Sequence, residues 1–411
     1  MLITSNKSIK PKHQSISTIL AFALIPLSGF ATDIYIPSLP NMGLSLHISS
    51  MQVQLTLSIF LISYGVSQLF IGSILDSFGR YNLSLMALVI FVISNIIIAQ
   101  THNIYLIYLM RVIHGITVAI IVVAKRAYFV DVFTGDKLKH YLSIFTIIWS
   151  TGPIVAPFIG GYLQSVFGWE SNFYFLALMG AVLAVLEFIF SGETLKLTTE
   201  FKLKRIARIY LEMITTASFT LGLLMLGLAY AMVMVYNMSG PFIVEHQLQL
   251  GPVAAGYCSL ILGLAWMVGG FIGKATIERP FYKKMVINIG LQTAFALGMI
   301  ISLGFIVNLY TLLFFAFIIH VAAGYTYNNY FTYSMRKFPK NAGIAGGLTG
   351  GVVYIMVSFL SYAIISVFPA KDERNLSYGY LILIVLSGLV MFCISRIRKV
   401  ETGISVAEVH G

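Results

Sequence analysis

Charge is what this chain has least of. Only 10% of its residues are Asp, Glu, Lys or Arg, while 58% are hydrophobic; an average soluble domain carries about 25% charged residues. A sequence so poor in charge is not that of a water-soluble globule. Cysteine is nearly absent too. Cys258 and Cys393 stand far apart in apolar segments, which supports neither a disulfide framework nor a metal site. There is no nucleotide-binding loop, no zinc spacing and no nucleophile with an attendant base, so no enzyme and no resident cofactor is expected.

Long apolar runs fill the space that charge leaves. A spanning helix needs about 20 residues, so with short loops the chain has room for about twelve. The runs predict spans at 16–38, 51–75, 83–100, 104–124, 141–165, 172–192, 214–238, 253–275, 285–305, 309–331, 342–368 and 377–395. The eleventh has the weakest helix signal, because Gly343, Gly346, Gly347, Gly350 and Gly351 crowd its start. The fold expected is an all-α membrane protein of two six-helix bundles, residues 1–192 and 213–411. A polar linker over 193–212 joins them and contains no obvious soluble domain.

The net charge of +11 raises the question of a nucleic-acid surface, and the placement of the cations answers it. All of the 26 Lys and Arg except Arg111, Lys371 and Arg374 fall in the N-tail, the even-numbered connections or the C-terminal stretch. The positive-inside rule then puts both termini in the cytoplasm and leaves no charge for nucleic acid to explain. Lys7, Lys10 and Lys12 precede a first span too long for a signal peptide and without a small-residue cleavage site, so a retained anchor is expected.

Arg111 is the exception that carries most information. It lies inside Tyr105-Leu-Ile-Tyr-Leu-Met-Arg111-Val-Ile-His114-Gly115, where a guanidinium costs about 2.5–3.5 kcal/mol on insertion scales and is a functional candidate by default. The comparable early acid is Asp33, toward the outer end of span one at a similar depth. The pair points to proton coupling: a nearby Arg111 would hold Asp33 ionised, and separation would let it take a proton. Weaker polar candidates are His114, Tyr236, Asn237, His320 and Asn328. Glu187 is expected to reach the interface, toward the linker cations. Phe22, Phe30, Tyr35, Tyr236, Phe242, Tyr325 and Tyr327 are candidates for an aromatic cavity wall.

Three motifs then carry a resemblance. Gly72-Ser-Ile-Leu-Asp76-Ser-Phe-Gly79-Arg80 resembles the loop motif between the second and third helices of the major facilitator superfamily. Arg111-Val-Ile-His114-Gly115 is similar to its fourth-helix motif, with His114 where glutamine is commoner. Gly152-Pro153-Ile-Val-Ala156-Pro157-Phe-Ile-Gly160-Gly161 looks like its antiporter motif, with Ala156 in place of a glycine. A narrower likeness comes from Thr32-Asp33-Ile-Tyr35-Ile-Pro37, Lys125-Arg126-Ala127, Phe167-Gly168-Trp169 and Glu193-Thr194-Leu195, which together resemble the Bcr/CflA drug-efflux family. Glu170 stands where that family often has arginine.

The resemblance implies the major facilitator fold, with a conformational latch at Gly72, Asp76, Gly79 and Arg80. In that latch Gly72 would permit close helix approach, and Asp76 would cap a helix or pair with a cation. It implies a hinge or packing stripe at Gly152, Pro153, Pro157, Gly160 and Gly161, and proton coupling through Asp33 and Arg111 beside a cavity reached by Phe30 and Tyr35. The function expected is export of small organic compounds in exchange for protons, by a monomer in a bacterial inner membrane. Its partners would be a small-molecule substrate and the lipid bilayer. Export of one endogenous metabolite such as a carboxylate siderophore, and uptake by proton symport, are the alternatives.

Overall fold

A computed structural model describes residues 8–198, 203–338 and 342–409. Among the expected cations, Lys7, Lys202 and Lys340 lie outside them. Apart from one isolated bridge between Ser8 and Glu193 the regular structure among the described residues is helical, and twelve of the helices are long and apolar enough to cross a membrane. They are Pro11–Leu46, Ser50–Phe78, Tyr81–Gln100, Ile104–Val132, Gly135–Phe167 and Glu170–Phe190, then Ala217–Gln247, Pro252–Ala275, Phe281–Ser302, Leu309–Lys337, Ile344–Val367 and Glu373–Arg396. They are called spans one to twelve. Most run longer than the apolar runs alone indicate, because helix hydrogen bonding continues through polar ends once a span is nucleated.

Local chemistry sets several starts. Ser49 and Gln52 form a reciprocal capping box at the head of span two, and Asn308 and Thr311 form another at span ten. Asn103 accepts from the backbone of Tyr105 and Leu106 to open span four. These side chains satisfy backbone donors that the first turn leaves without partners. All three caps lie at the end of the molecule away from the 193–212 linker, here the distal end.

Span one is not a single helix. It runs as Gln14–Leu24, Leu27–Asp33, a tight turn at Ile36–Ser38 and Leu39–Leu46, with Pro26, Pro37 and Pro40 at the joints. Proline lacks the amide donor and clashes with the preceding turn, so such joints free carbonyls. Broken backbone at membrane depth is tolerated only where protein buries it, and Leu27 to Leu39 is buried apart from Phe30.

The first six spans meet the last six chiefly through two helix pairs, two with eleven and five with eight. Both crossings depend on small residues. A Cβ on Gly65 would come within 2.7 Å of the Gly351 carbonyl, and one on Gly161 within 2.6 Å of the Pro252 carbonyl. Ser358 of span eleven donates to the Ser58 carbonyl of span two at 2.9 Å. The linker holds an amphipathic helix, Leu203–Thr215, where the sequence shows only a polar interruption. Its Tyr210 hydroxyl donates to the Leu69 carbonyl at 2.9 Å.

Candidate functional site

The break in span one decides the geometry around both buried charges. Helix termination at Asp33 frees the carbonyl of Ala31, and Arg111 supplies the donor: its Nη1 lies 2.9 Å from that oxygen. Nε donates to the Thr56 carbonyl at 3.3 Å, and the guanidinium sits 4.7 Å from the Tyr35 ring centre and 4.6 Å from that of Phe60. Nη1 is also 3.3 Å from His114 Nδ1. Arg111 and His114 are both fully buried. The cation is thus held by carbonyl dipoles and ring faces, which compensate a buried charge that has no anion bonded to it.

Asp33 is not its ion-pair partner. Among the described residues four salt bridges form, and neither Asp33 nor Arg111 takes part in any of them. Asp33 instead accepts from Asn237 Nδ2 of span seven at 3.3 Å, a contact between the two halves of the chain. It borders a small cavity of about 80 Å³ with Asn237, His320, Tyr327, Trp266 and Ser259. That volume is far below the roughly 300–1,000 Å³ of small-molecule sites, so the space beside the acid is too small here for a drug-sized ligand.

Of the residues expected to form the cavity, Asp33, Asn237 and His320 line it. Phe30, Tyr35, His114, Tyr236 and Asn328 do not. Phe30 stacks on Phe175 at 6.3 Å, and Tyr35 bonds Thr56 at 2.9 Å against the Phe173 ring. His114 lies against Phe91, Tyr236 is buried edge-on to His320, and Asn328 packs beside Gly273. Phe30, Tyr35, Tyr236 and Asn328 lie on spans one, seven and ten, which line the cavity with other residues, whereas span four, which carries His114, contributes none. His320 Nε2 is 3.2 Å from the Tyr380 hydroxyl, while Nδ1 has no partner.

The aromatic wall is made mostly of other residues. Tyr64 meets Tyr354 at 4.8 Å, Tyr354 meets Tyr230 at 5.8 Å, Tyr230 meets Trp266 at 5.8 Å, and Trp266 meets Tyr327 at 5.2 Å. This ladder runs from span two across spans eleven, seven, eight and ten. Only Tyr327 stood out in the sequence, because aromatics at 14% of the chain give no local signal of which face the centre. Phe22 packs instead on Phe129 and Tyr141, Phe242 on His246, and Tyr325 reaches Thr276.

The glycine–proline stripe on span five is a packing surface for the broken helix. A Cβ on Gly152 would stand 2.7 Å from the Pro26 carbonyl, and one on Gly160 would strike the carbonyl of Ile34. Pro153 packs on Gly29 and also borders the cavity. Span one is thereby seated on span five along the segment that carries Asp33.

At the linker end, Arg80 binds Asp76 at 2.7 Å and also pairs with Asp131 at the end of span four. Thr194 donates to the same Asp131 carboxylate at 2.7 Å. Gly79 has φ +90°, a turn that glycine adopts freely. Asp76 takes the second of its two expected roles, pairing with a cation, while the expectations for Gly72 and Glu187 need correction. The first turn of span three is capped by Glu193, which accepts from Arg80 N at 2.9 Å and Tyr81 N at 3.1 Å, and not by Asp76. Among the described residues a Cβ on Gly72 would meet nothing within 4 Å, so Gly72 makes no close helix contact with them. Glu187 does not reach the interface either; it is buried and bonded to Lys125 Nζ at 2.6 Å.

Comparison with known proteins agrees with this architecture. The profile of the Major Facilitator Superfamily matches residues 21–361. The chain is 24% identical over 387 residues to Multidrug resistance protein D of Escherichia coli, covering 93% of this chain and 96% of that one. It is 33% identical over 170 residues to a bicyclomycin resistance protein homolog of Haemophilus influenzae, covering 41% and 43%. Among solved structures, a bacterial homolog of the human lysosomal transporter Spinster superposes with a TM-score of 0.72 at 14% identity, over 94% of this chain and 98% of that one. The chain is a multi-pass membrane transporter, not an enzyme, and it belongs to the Major Facilitator Superfamily, in the Bcr/CflA-like drug-efflux group.

Proposed function

We propose that this protein exports small, largely apolar organic compounds from the bacterial cytoplasm in exchange for protons, with Asp33 as the proton-carrying group. The observation that carries the reading is the setting of Asp33. It is a nearly buried carboxylate at the junction of the two halves, with Asn237 as its hydrogen-bond partner and aromatic rings around it. A carboxylate is the group in this setting that can bind and release a proton, and its bond to Asn237 ties that step to the seam between the halves. Names of relatives such as Multidrug resistance protein D support the cargo class.

In this reading Arg111 does not neutralise Asp33. It braces the carbonyl that the break in span one exposes, so the segment ending at Asp33 moves as a unit on the glycine stripe of span five. With Asp33 ionised an apolar ligand lodges against Trp266 and Tyr327; protonation weakens the Asn237 link, the seam between the halves rearranges, and the ligand is released. Substrate and proton then compete for the same space. One charge crossing about 150 mV yields about 3.5 kcal/mol, enough for a gradient of a few hundredfold in a neutral substrate.

The reading needs no cofactor besides the coupling proton and no nucleic-acid partner. It places a monomer in the inner membrane with both termini in the cytoplasm, on the distribution of Lys and Arg. Export of a carboxylate-rich metabolite draws less support, because Arg111 does not border the cavity. The test is lumenal pH in energised inverted vesicles as lipophilic cations, neutral antibiotics and carboxylate chelators are added singly. Substrate-induced proton release that disappears in Asp33→Asn supports antiport. Equal release in that variant rejects the role of Asp33, and uptake of compound together with protons rejects the direction.

A further inference from the structure

The two halves of the chain repeat the same order of spans, and the repeat exposes an imbalance at the linker end. In the first half the cation of the loop after span two is neutralised: Arg80 has Asp76 beside it and Asp131 at the end of span four. The corresponding places in the second half are the connection after span eight with the first turn of span nine, and the end of span ten. There stand Arg279, Lys283, Lys284, Arg336 and Lys337, and Glu278 is the one acid between residues 273 and 338. Among the described residues none of these five cations forms an ion pair.

Lys284 makes the imbalance costly. It is only 9% exposed, and its ammonium donates to the Thr276 carbonyl at 2.9 Å and lies 5.8 Å from the Phe281 ring centre. Glu278 is the acid near it but forms no ion pair with it, so the ammonium facing the clefts is left to attract an anion from outside. Two clefts flank it. One of about 460 Å³ opens between spans eight, nine and ten, with Arg279 and Lys283 at its mouth and Asn288 within. The other, of about 430 Å³, is bordered by Arg336 and Lys337. The larger cleft continues along span nine onto Ile287 and Leu291, which are 62% and 44% exposed on an apolar outer face.

We propose that the cleft between spans eight, nine and ten binds an anionic phospholipid, its phosphate held by Arg279, Lys283 and Lys284 and an acyl chain lying along Ile287 and Leu291. The cationic mouth and the apolar wall follow one another along the helix axis in the order in which headgroup and chain follow one another in a lipid. A free phosphate would use the mouth and leave the wall uncovered, which is why the lipid is the occupant. With the phosphate in place the second half acquires the counter-charge that Asp131 supplies to the first. The inference does not depend on the transport reading above, since it concerns the outer face of spans eight to ten and not the cavity at Asp33.

The experiment is native mass spectrometry of the detergent-solubilised full chain titrated with phosphatidylglycerol or phosphatidylcholine. Phosphatidylglycerol is expected to bind in preference. The double variant Arg279→Gln, Lys283→Gln alters two exposed side chains and leaves the fold intact. It should weaken that binding by about thirtyfold, at roughly fivefold for each cation lost near an anionic lipid. The pair Lys137→Gln, Lys139→Gln, exposed cations of the first half, should leave binding unchanged. Equal binding in the first double variant, an equal loss in the second, or displacement of the lipid by millimolar inorganic phosphate would each overturn the assignment.

Discussion

Asn237 of span seven donates to Asp33 of span one at 3.3 Å, so the acid expected to carry the proton is tied to the opposite half of the molecule and not to the nearby Arg111. The bond is long and joins two elements that must move against one another as the cavity changes its opening. Protonation of Asp33 removes the charge that favours it, since hydrogen bonds to charged groups exceed neutral ones by about twofold. Chemistry at Asp33 is thereby linked to the seam between the halves.

Asp33→Asn is expected to lower substrate-driven proton flux at least tenfold while the protein still inserts and purifies. Asn237→Ala keeps the acid and should lower flux only severalfold. Fluorescence of a pH-sensitive dye in vesicles reads both. Loss of flux in Asn237→Ala as complete as in Asp33→Asn would show that the contact, and not the proton, is what transport requires.

Arg111→Leu leaves the Ala31 carbonyl without its donor in a buried site, and an orphaned buried acceptor costs about 1–3 kcal/mol. Arg111→Lys keeps the charge but loses the planar fork that reaches the Ala31 and Thr56 carbonyls between two rings. Both variants should melt at lower temperature than the parent in a detergent thermal-shift assay, with Lys the milder. A melting point in Arg111→Leu equal to the parent would contradict the bracing role.

Glycine positions separate by the space behind them. Gly160→Ala would drive a methyl into the Ile34 carbonyl and should unseat span one, lowering both stability and flux. Gly72→Ala meets open space within a helix, where alanine is favoured by about 0.5–1 kcal/mol. It should therefore be neutral or slightly stabilising. Parallel melting and flux measurements on the two variants decide the matter, and a Gly72→Ala defect as large as that of Gly160→Ala would refute the packing account.

The Lys125–Glu187 pair is a buried ion pair at 2.6 Å. Removing one partner of such a pair typically costs about 3–5 kcal/mol, whereas replacing both by apolar groups of similar volume is often neutral. Glu187→Gln should accordingly be harmful, and the double change Lys125→Met with Glu187→Leu should restore most of the lost stability. Chemical denaturation of the three forms measures it. A double variant as weak as the single one would point to a role beyond charge compensation.

What the sequence determined by itself was what is local or cumulative. Twelve apolar runs give twelve spans because each helix closes its own backbone hydrogen bonds in lipid, whatever its neighbours. Arg111 was legible as an outlier because its cost is set by the run around it, and Gly79 because its turn needs φ above zero. The amphipathic helix Leu203–Thr215 was hidden by a composition that reads as a polar linker. The tertiary structure alone decided the partners. Arg111 and the Ala31 carbonyl are 80 residues apart, Asp33 and Asn237 are 204 apart, and Glu193 caps a helix 113 residues before it. Which face of an apolar helix turns inward is likewise set by packing, since lipid and protein interior favour the same residues and leave no periodic signal. That is why Tyr230 and Trp266 went unseen while Tyr35 and Tyr236 were expected at the cavity and lie buried between helices.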